Sequence, residues 1–353
     1  MSARFGVLGC GRIGHRRAQH IANFAELTAV CDIDPVQANE LAEKHGVPAY
    51  TTLDDMLNAH PDIEVVSVCT PNGLHAEHSI AVLRHQRNVV CEKPMALNVR
   101  DCWAMVREAE KANRHLFVVK QNRFNPPVRK LKEVIDSGML GNIYSVQLNC
   151  FWNRNDRYYS ESPWKGTQHL DGGTLYTQFS HFIDLMYWFM GDVVSVTAQT
   201  ANYQHQDLIE FEDTVTANLR FLSGAIGTMN CTINSHEKNM EGSITIFAEK
   251  GTIKIGGQYL NVLEYQNIAD HVIEDVDVHR PANDYGYYQG SMSNHDAVIL
   301  NVVDVLCNNG VIATNGYEGM KTVEIIEKVY QSAKSGSEVK WDVRPESAMK
   351  AHA

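Results

Sequence analysis

The sequence predicts an α/β domain on a doubly wound parallel sheet, followed by an α+β domain with a large, mostly antiparallel sheet. Three observations carry this reading. Short apolar runs alternate with amphipathic segments up to about residue 121, and a G-x-G-x-x-G directly follows the first run. Beyond residue 121 the pattern changes to apolar–polar alternation typical of half-buried strands. A length of 353 residues suits two domains, placed here at 1–121 and 122–353.

The runs Phe5–Leu8, Leu27–Cys31, Ile63–Cys69, Val89–Cys91 and Leu116–Val119 are short and rich in Val, Ile and Cys, as strands covered on both faces are. Helical patterns lie between them at Arg12–Asn23, Pro35–His45, His75–Arg84 and Asn98–Asn113. Asp34-Pro35 reads as an N-cap followed by Pro at the first helical position. After residue 121, Pro126–Ser137 reads as a helix stopped by Gly138, and Asn142–Trp152 as an antiparallel strand. A helix from about Leu175 to Met190 ends at Gly191. Strands follow at Val193–Thr200, Thr214–Phe221, Ala225–Ile233, Ser243–Ala248 and Tyr259–Tyr265, with Ser223-Gly224 and Lys250-Gly251 as tight turns. Helices near His295–Asn308 and Tyr317–Lys334 close the pattern.

Composition narrows the function. Lys plus Arg is 31 against 42 for Asp plus Glu, a net charge of −11, which repels phosphate backbones and argues against general nucleic-acid binding. It leaves room for a local basic pocket for one small anion. No apolar run approaches the ~20 residues of a bilayer span, and the first residues lack the pattern of a signal peptide. The eight Cys show neither Cys-x-x-Cys pairs nor metal-site spacing. They read as reduced, mostly buried thiols of a cytoplasmic protein without a metal.

Gly9-Cys10-Gly11-Arg12-Ile13-Gly14 sits where a dinucleotide fingerprint requires it, between a strand and a helix. Gly9 permits the tight turn, Gly11 lets a pyrophosphate approach the backbone, and Gly14 allows close helix–strand packing. Asp32 ends the second strand, where an acid accepts from ribose hydroxyls and opposes a 2′-phosphate, so NAD is favoured over NADP. Asp34 competes for that role, but its place before Pro35 favours the N-cap. Thr70-Pro71-Asn72 and Cys91-Glu92-Lys93-Pro94 follow two further strands, on the edge of the sheet where ligands bind. His75 begins the next helix, where a solvated or capping histidine is the commoner role. Lys93 there could donate to a substrate hydroxyl beside a nicotinamide. Thr177, His181 and Asp184 fall at i, i+4 and i+7 on one helical face, a polar trio in an apolar segment. Cys10 and Cys91 lie beside the loop and Lys93, so thiol reagents are expected to inhibit without any Cys being catalytic.

Together, Gly9–Gly14, Asp32, Thr70-Pro71-Asn72, Glu92-Lys93-Pro94 and the Gly172-Gly173…His181-x-x-Asp184 segment resemble the glucose–fructose oxidoreductase/inositol dehydrogenase (Gfo/Idh/MocA) family of NAD(P)-dependent sugar dehydrogenases. The resemblance implies a Rossmann domain, catalytic Lys93 and His181, an often-cis bond before Pro94, and a second domain with an open sheet used in a homotetramer. It further implies that Gly9, Gly11, Arg12, Ile13, Gly14, Asp32, Thr70, Pro71, Asn72, His75, Glu92, Lys93, Gln121 and Trp164 hold NAD. Many members carry Asp where this chain has Thr177, so the proton relay is expected to rest on Lys93 and His181 alone.

Lys120–Pro127, Phe151–Asn155, Tyr158-Tyr159, Trp164–Gly166, Thr177–His181 and Ser291–His295 resemble one branch, bacterial enzymes that oxidise the C3 hydroxyl of UDP-N-acetylglucosaminuronic acid for cell-surface polysaccharide. That implies substrate contacts from Lys93, Arg123, Asn153, Arg154, Arg157, Tyr159, Lys165, Thr177, Gln178, His181 and Asp184. Lys120, Arg123, Arg154, Arg157 and Lys165 would supply the cations for a diphosphate and a carboxylate. A free-sugar or inositol dehydrogenase, an NAD-dependent glycoside hydrolase and a silent nucleotide-binding regulator are the other readings.

Overall fold

A computed structural model describes residues 2–274, 276, 281–286 and 288–342. The chain divides into two compact units: one holds the chain up to Phe124 with Ser162–His181 and Ser293–Glu324, the other Asn125–Glu161, Phe182–Met292 and the chain from Ile325.

In the first unit the strands are β1 (Arg4–Leu8), β2 (Glu26–Cys31), β3 (Ala49–Tyr50), β4 (Val65–Val68), β5 (Asn88–Cys91) and β6 (Leu116–Val118). They form one sheet in the order β3-β2-β1-β4-β5-β6, every neighbouring pair parallel. The order reverses between β1 and β4, so the carboxyl ends of these strands open the crevice in which such sheets bind ligands. The helices between them are α1 (Arg12–Phe24), α2 (Pro35–His45), α3 (Leu53–Ala59), α4 (His75–Arg84) and α5 (Val99–Ala112). The Asp34 side chain accepts from the Val36 N–H at 2.9 Å, which settles its N-cap role. The short β3 and α3 escaped the sequence pattern.

The second unit contains α6 (Pro126–Asp136), β7 (Ile143–Phe151), α7 (Asp156–Ser160) and most of α8 (Ser180–Met190). Its large sheet adds β8 (Val193–Ala201), β9 (Thr214–Phe221), β10 (Ile226–Thr232), β11 (Glu241–Ala248), β12 (Gly251–Gly256) and β13 (Val262–Ile268). A separate hairpin pairs β14 (Ala282–Asp284) with β15 (Gln289–Met292). The last helices are α9 (His295–Asn308) and α10 (Gly316–Ser335), and β16 (Val339–Lys340) completes the large sheet. Its order is β13-β12-β11-β7-β10-β9-β8-β16. One pairing corrects the antiparallel expectation: β7 runs antiparallel to β11 but parallel to β10. Val146, Leu148 and Cys150 of β7 are buried and Gln147 is exposed, as the alternation requires; Tyr144, expected on the buried face, is exposed near the start of the strand. Phe182, Ile183, Leu185 and Met186 of α8 are fully buried in this unit. Each contributes about 1.5–3 kcal/mol of apolar burial.

A single cut at residue 121 therefore misses two returns to the first unit. One is α9, whose Val298, Ile299 and Val302 join the core of α1, β1 and β2. The other is the segment 162–181, which carries half of the site described next. Local periodicity reports an element's type and says nothing of which core it joins. No helix among the described residues is long and apolar enough to cross a membrane.

Candidate active site

The turn after β1 is shaped by backbone contacts. Gly9 has φ +96°, and a Cβ there would lie 2.7 Å from the Cys69 carbonyl carbon. A Cβ on Gly14 would lie 2.0 Å from the Gly9 carbonyl oxygen, so α1 can start this close to the strand only with glycine. Gly11 is the opposite case: a Cβ would meet nothing within 4 Å, so the loop leaves open space where a phosphate would approach. The N-cap of α1 is Gly11, which has no side chain to cap the helix, and a helix start of this kind suits an anion. The Asp32 carboxylate accepts from the backbone N–H of Cys10 at 2.6 Å and of Asp34 at 2.9 Å, which fixes it beside the loop at the end of β2. Arg12 is exposed and Ile13 half-buried on the first turn of α1. These residues fit a bound dinucleotide.

The loops after β4 and β5 are tied together. His75, 1% exposed, places one ring nitrogen 2.6 Å from the Pro94 carbonyl oxygen and the other 2.8 Å from that of Thr70. Both nitrogens thus face protein carbonyls, and the role of His75 is to hold the two loops rather than to meet solvent or cap a helix. The Asn72 amide donates to the Asp171 carbonyl at 3.0 Å and to the Thr177 hydroxyl at 2.9 Å. The Lys93–Pro94 bond is cis. Glu92 is buried and pairs with the fully buried Arg17 of α1, whose guanidinium also lies 3.4 Å from His295 Nδ1.

Lys93 Nζ donates to the Thr177 carbonyl at 2.5 Å. Thr177 lies in a π turn, Leu175–Phe179, that precedes α8. The expected regular helix with Thr177, His181 and Asp184 at i, i+4 and i+7 is therefore interrupted, a feature frequent at functional sites. The Thr177 hydroxyl donates to the Asp171 carboxylate. His181 is 4% exposed, and its Nε2 lies 3.0 Å from Gln121 Nε2. Burial first, then the positive charges of Lys93 and Lys120, hold His181 well below its ordinary value of 6.5. It is neutral at pH 7 and able to take a proton. The first unit thus brings together a lysine, a neutral histidine and a nucleotide loop at one edge of a parallel sheet.

Comparison with known proteins agrees. Residues 3–120 match the model for the oxidoreductase family with an NAD-binding Rossmann fold, and 128–254 match the Gfo/Idh/MocA C-terminal domain. This chain belongs to the Gfo/Idh/MocA family. Its structure resembles that of the WlbA dehydrogenase from Bordetella pertussis in complex with NADH and UDP-GlcNAcA: 35% identity, TM-score 0.87, 98% of this chain and 100% of that one covered. The WlbA dehydrogenase from Chromobacterium violaceum, with the same two ligands, is 37% identical with TM-score 0.88 and 97% of each chain covered. Among sequence relatives, the myo-inositol 2-dehydrogenase of Thermotoga maritima is 30% identical over 258 residues, 71% of this chain and 74% of that protein. The chain is thus an NAD-dependent oxidoreductase.

Within that family, the expected cations are less free than the sequence suggested. Arg123 is 3% exposed and donates to Glu318 at 2.9 Å and the Ala313 carbonyl at 3.3 Å. Lys120 donates to the Thr322 hydroxyl at 2.9 Å. Trp164 and Lys165 are half-buried in the segment that leads to Asp171, and Gln178 is buried in the π turn. In the second unit, Arg154 is 2% exposed, with its guanidinium 4.9 Å from the Trp152 and Tyr288 ring centres and 5.3 Å from that of Tyr158. It donates to the Asn153 carbonyl at 2.6 Å and to Asn239 at 3.3 Å. Asn153 donates to the Ser235 carbonyl at 2.7 Å, and Tyr159 is buried against Tyr158 and His205. Arg157 is exposed and pairs with Glu161 at 2.7 Å; Asp184 is buried in α8. Sequence reasoning passed over Asp171 and Arg17. The acid directly before Gly172-Gly173 and the Arg inside the buried stripe Gly14, Arg17, Ala18, Ile21 were the available signals.

Proposed function

We propose that this protein oxidises the C3 hydroxyl of UDP-N-acetylglucosaminuronic acid to the 3-keto sugar, a step toward diacetamido-uronic acids of cell-surface polysaccharide. The observation that carries the substrate is the likeness, over essentially the whole chain, to two dehydrogenases crystallised with UDP-GlcNAcA. Bound NAD supplies the hydride acceptor. Neutral His181 takes the hydroxyl proton, a contribution of about 10²–10⁴-fold for a positioned base. Lys93 leaves the Thr177 carbonyl to donate to the same oxygen and stabilise its developing negative charge. When NAD is bound, Asp32 would accept from the adenosine ribose and the start of α1 would hold the pyrophosphate. A homotetramer belongs to the same proposal, read by light scattering.

A free cyclitol or sugar substrate is the second reading, favoured by the myo-inositol 2-dehydrogenase relative. Initial rates of NADH formation with UDP-GlcNAcA, the free uronic acid, myo-inositol and hexoses separate the two. The proposal expects kcat/KM for UDP-GlcNAcA to exceed every other by at least ~100-fold. Equal or better turnover of myo-inositol overturns it.

A further inference from the structure

Asp171 is 1% exposed and has no role in the reading so far. One carboxylate oxygen accepts the Thr177 hydroxyl, and the other accepts the Gly166 N–H at 2.8 Å. Its own carbonyl accepts from Asn72, whose amide also reaches the Thr177 hydroxyl. Thr177 is thereby fixed from both sides, and its carbonyl is the acceptor of Lys93 Nζ. Closing the loop 166–177 on itself needs acceptors but not a net charge. A buried anion is costly unless a cation answers it. Burial raises the Asp171 carboxyl, while the hydrogen bonds from Thr177 and Gly166, and then the Lys165 and Lys93 ammonium groups, draw it partly back down. Of those two, Lys93 is the one joined to it through Thr177.

We infer that Asp171 is a positioning residue for Lys93: it fixes the Thr177 carbonyl that receives the ammonium and supplies that ammonium's counter-charge. The acid expected to be absent, because position 177 is Thr, thus stands on the neighbouring turn. This inference rests on the role proposed for Lys93 and deepens it.

Two readouts keep its failure distinct from a wrong substrate. The first needs no substrate: the titration of Lys93 in the folded protein, followed by pH-dependent acetic anhydride labelling and peptide mass spectrometry. Loss of a neighbouring opposite charge lowers an ammonium's pKa, so Asp171→Asn should move the Lys93 midpoint down by about one unit or more. The second is the pH profile of kcat/KM, whose alkaline limb should move down with it while the Kd for NAD stays within about twofold. Asp171→Asn with Thr177→Asp returns a carboxylate to the cluster and should restore both. Thr177→Val, which keeps side-chain shape, should lower kcat about tenfold or more even if Asp171→Asn folds poorly. An unmoved Lys93 midpoint in Asp171→Asn, or near-normal kcat in Thr177→Val, overturns the inference whatever the substrate. Loss of wild-type turnover on UDP-GlcNAcA with the midpoint shift intact overturns the substrate alone.

Discussion

The ion pair of Arg17 and Glu92 is expected to be worth several kcal/mol only as a pair. Their side chains are 0% and 6% exposed, so neither charge can turn to water when its partner is lost. Removing one member of such a pair costs about 3–5 kcal/mol, because the other stays buried and uncompensated. Arg17→Met keeps the aliphatic stem and deletes the charge. At a urea slope of about 3 kcal/mol/M, a loss of about 4 kcal/mol lowers the unfolding midpoint by more than ~1 M. Arg17→Met with Glu92→Gln removes both charges and should return to within about 1 kcal/mol of the wild type, far below the sum of the two single costs. Because the Lys93 N–H lies 3.4 Å from the Glu92 carboxylate, the single variant should also lose turnover and the double variant regain part of it. Urea unfolding followed by tryptophan fluorescence measures the cycle. Additive single effects, or a cost below about 1 kcal/mol for Arg17→Met, would refute the reasoning.

His181→Asn should lower kcat by about 10²–10⁴-fold while NAD affinity, read by fluorescence titration, stays within about threefold. His181 and His295 are both held well below 6.5, chiefly by burial and then by nearby cations, so the native state excludes protons that the unfolded chain takes up. Stability should be flat above pH 6.5 and fall by up to about 3 kcal/mol per pH unit below it; a thermal midpoint unchanged between pH 7 and 5.5 would contradict this. Burial pushes the Cys10, Cys31 and Cys69 thiols up to about 12 and those of Cys91, Cys150 and Cys231 higher still, whereas Cys307 is exposed. Iodoacetamide on the native protein should therefore give one adduct, at Cys307, with activity retained, the reverse of the inhibition expected from sequence position alone.

Gly9–Gly14, Asp32, Lys93 and His181 were legible because each belongs to a short motif whose geometry is set within a few residues of a strand end. The alternation of β7 and the limits of α2 and α4 were legible for the same reason: a repeat or a cap is a local signal. Asp171 was not, since its partners Thr177, Asn72 and Lys93 converge only when three separate loops fold to one edge. The cations Arg123 and Arg154 read as ligand contacts because charge is visible in sequence, whereas Glu318 and Tyr288, which meet them, are distant in the chain. The π turn at Leu175–Phe179 hid behind an apolar periodicity that an α-helix would show equally well.

Hydride transfer from the sugar C3 is the core of the account, and isotope transfer tests it most directly. UDP-N-acetylglucosaminuronic acid deuterated at C3 is incubated with enzyme and NAD, and the reduced cofactor is examined by mass spectrometry. The account predicts NADH one mass unit heavier and a 3-keto sugar without the label. Unlabelled NADH, or product that keeps its C3 deuterium, would contradict it.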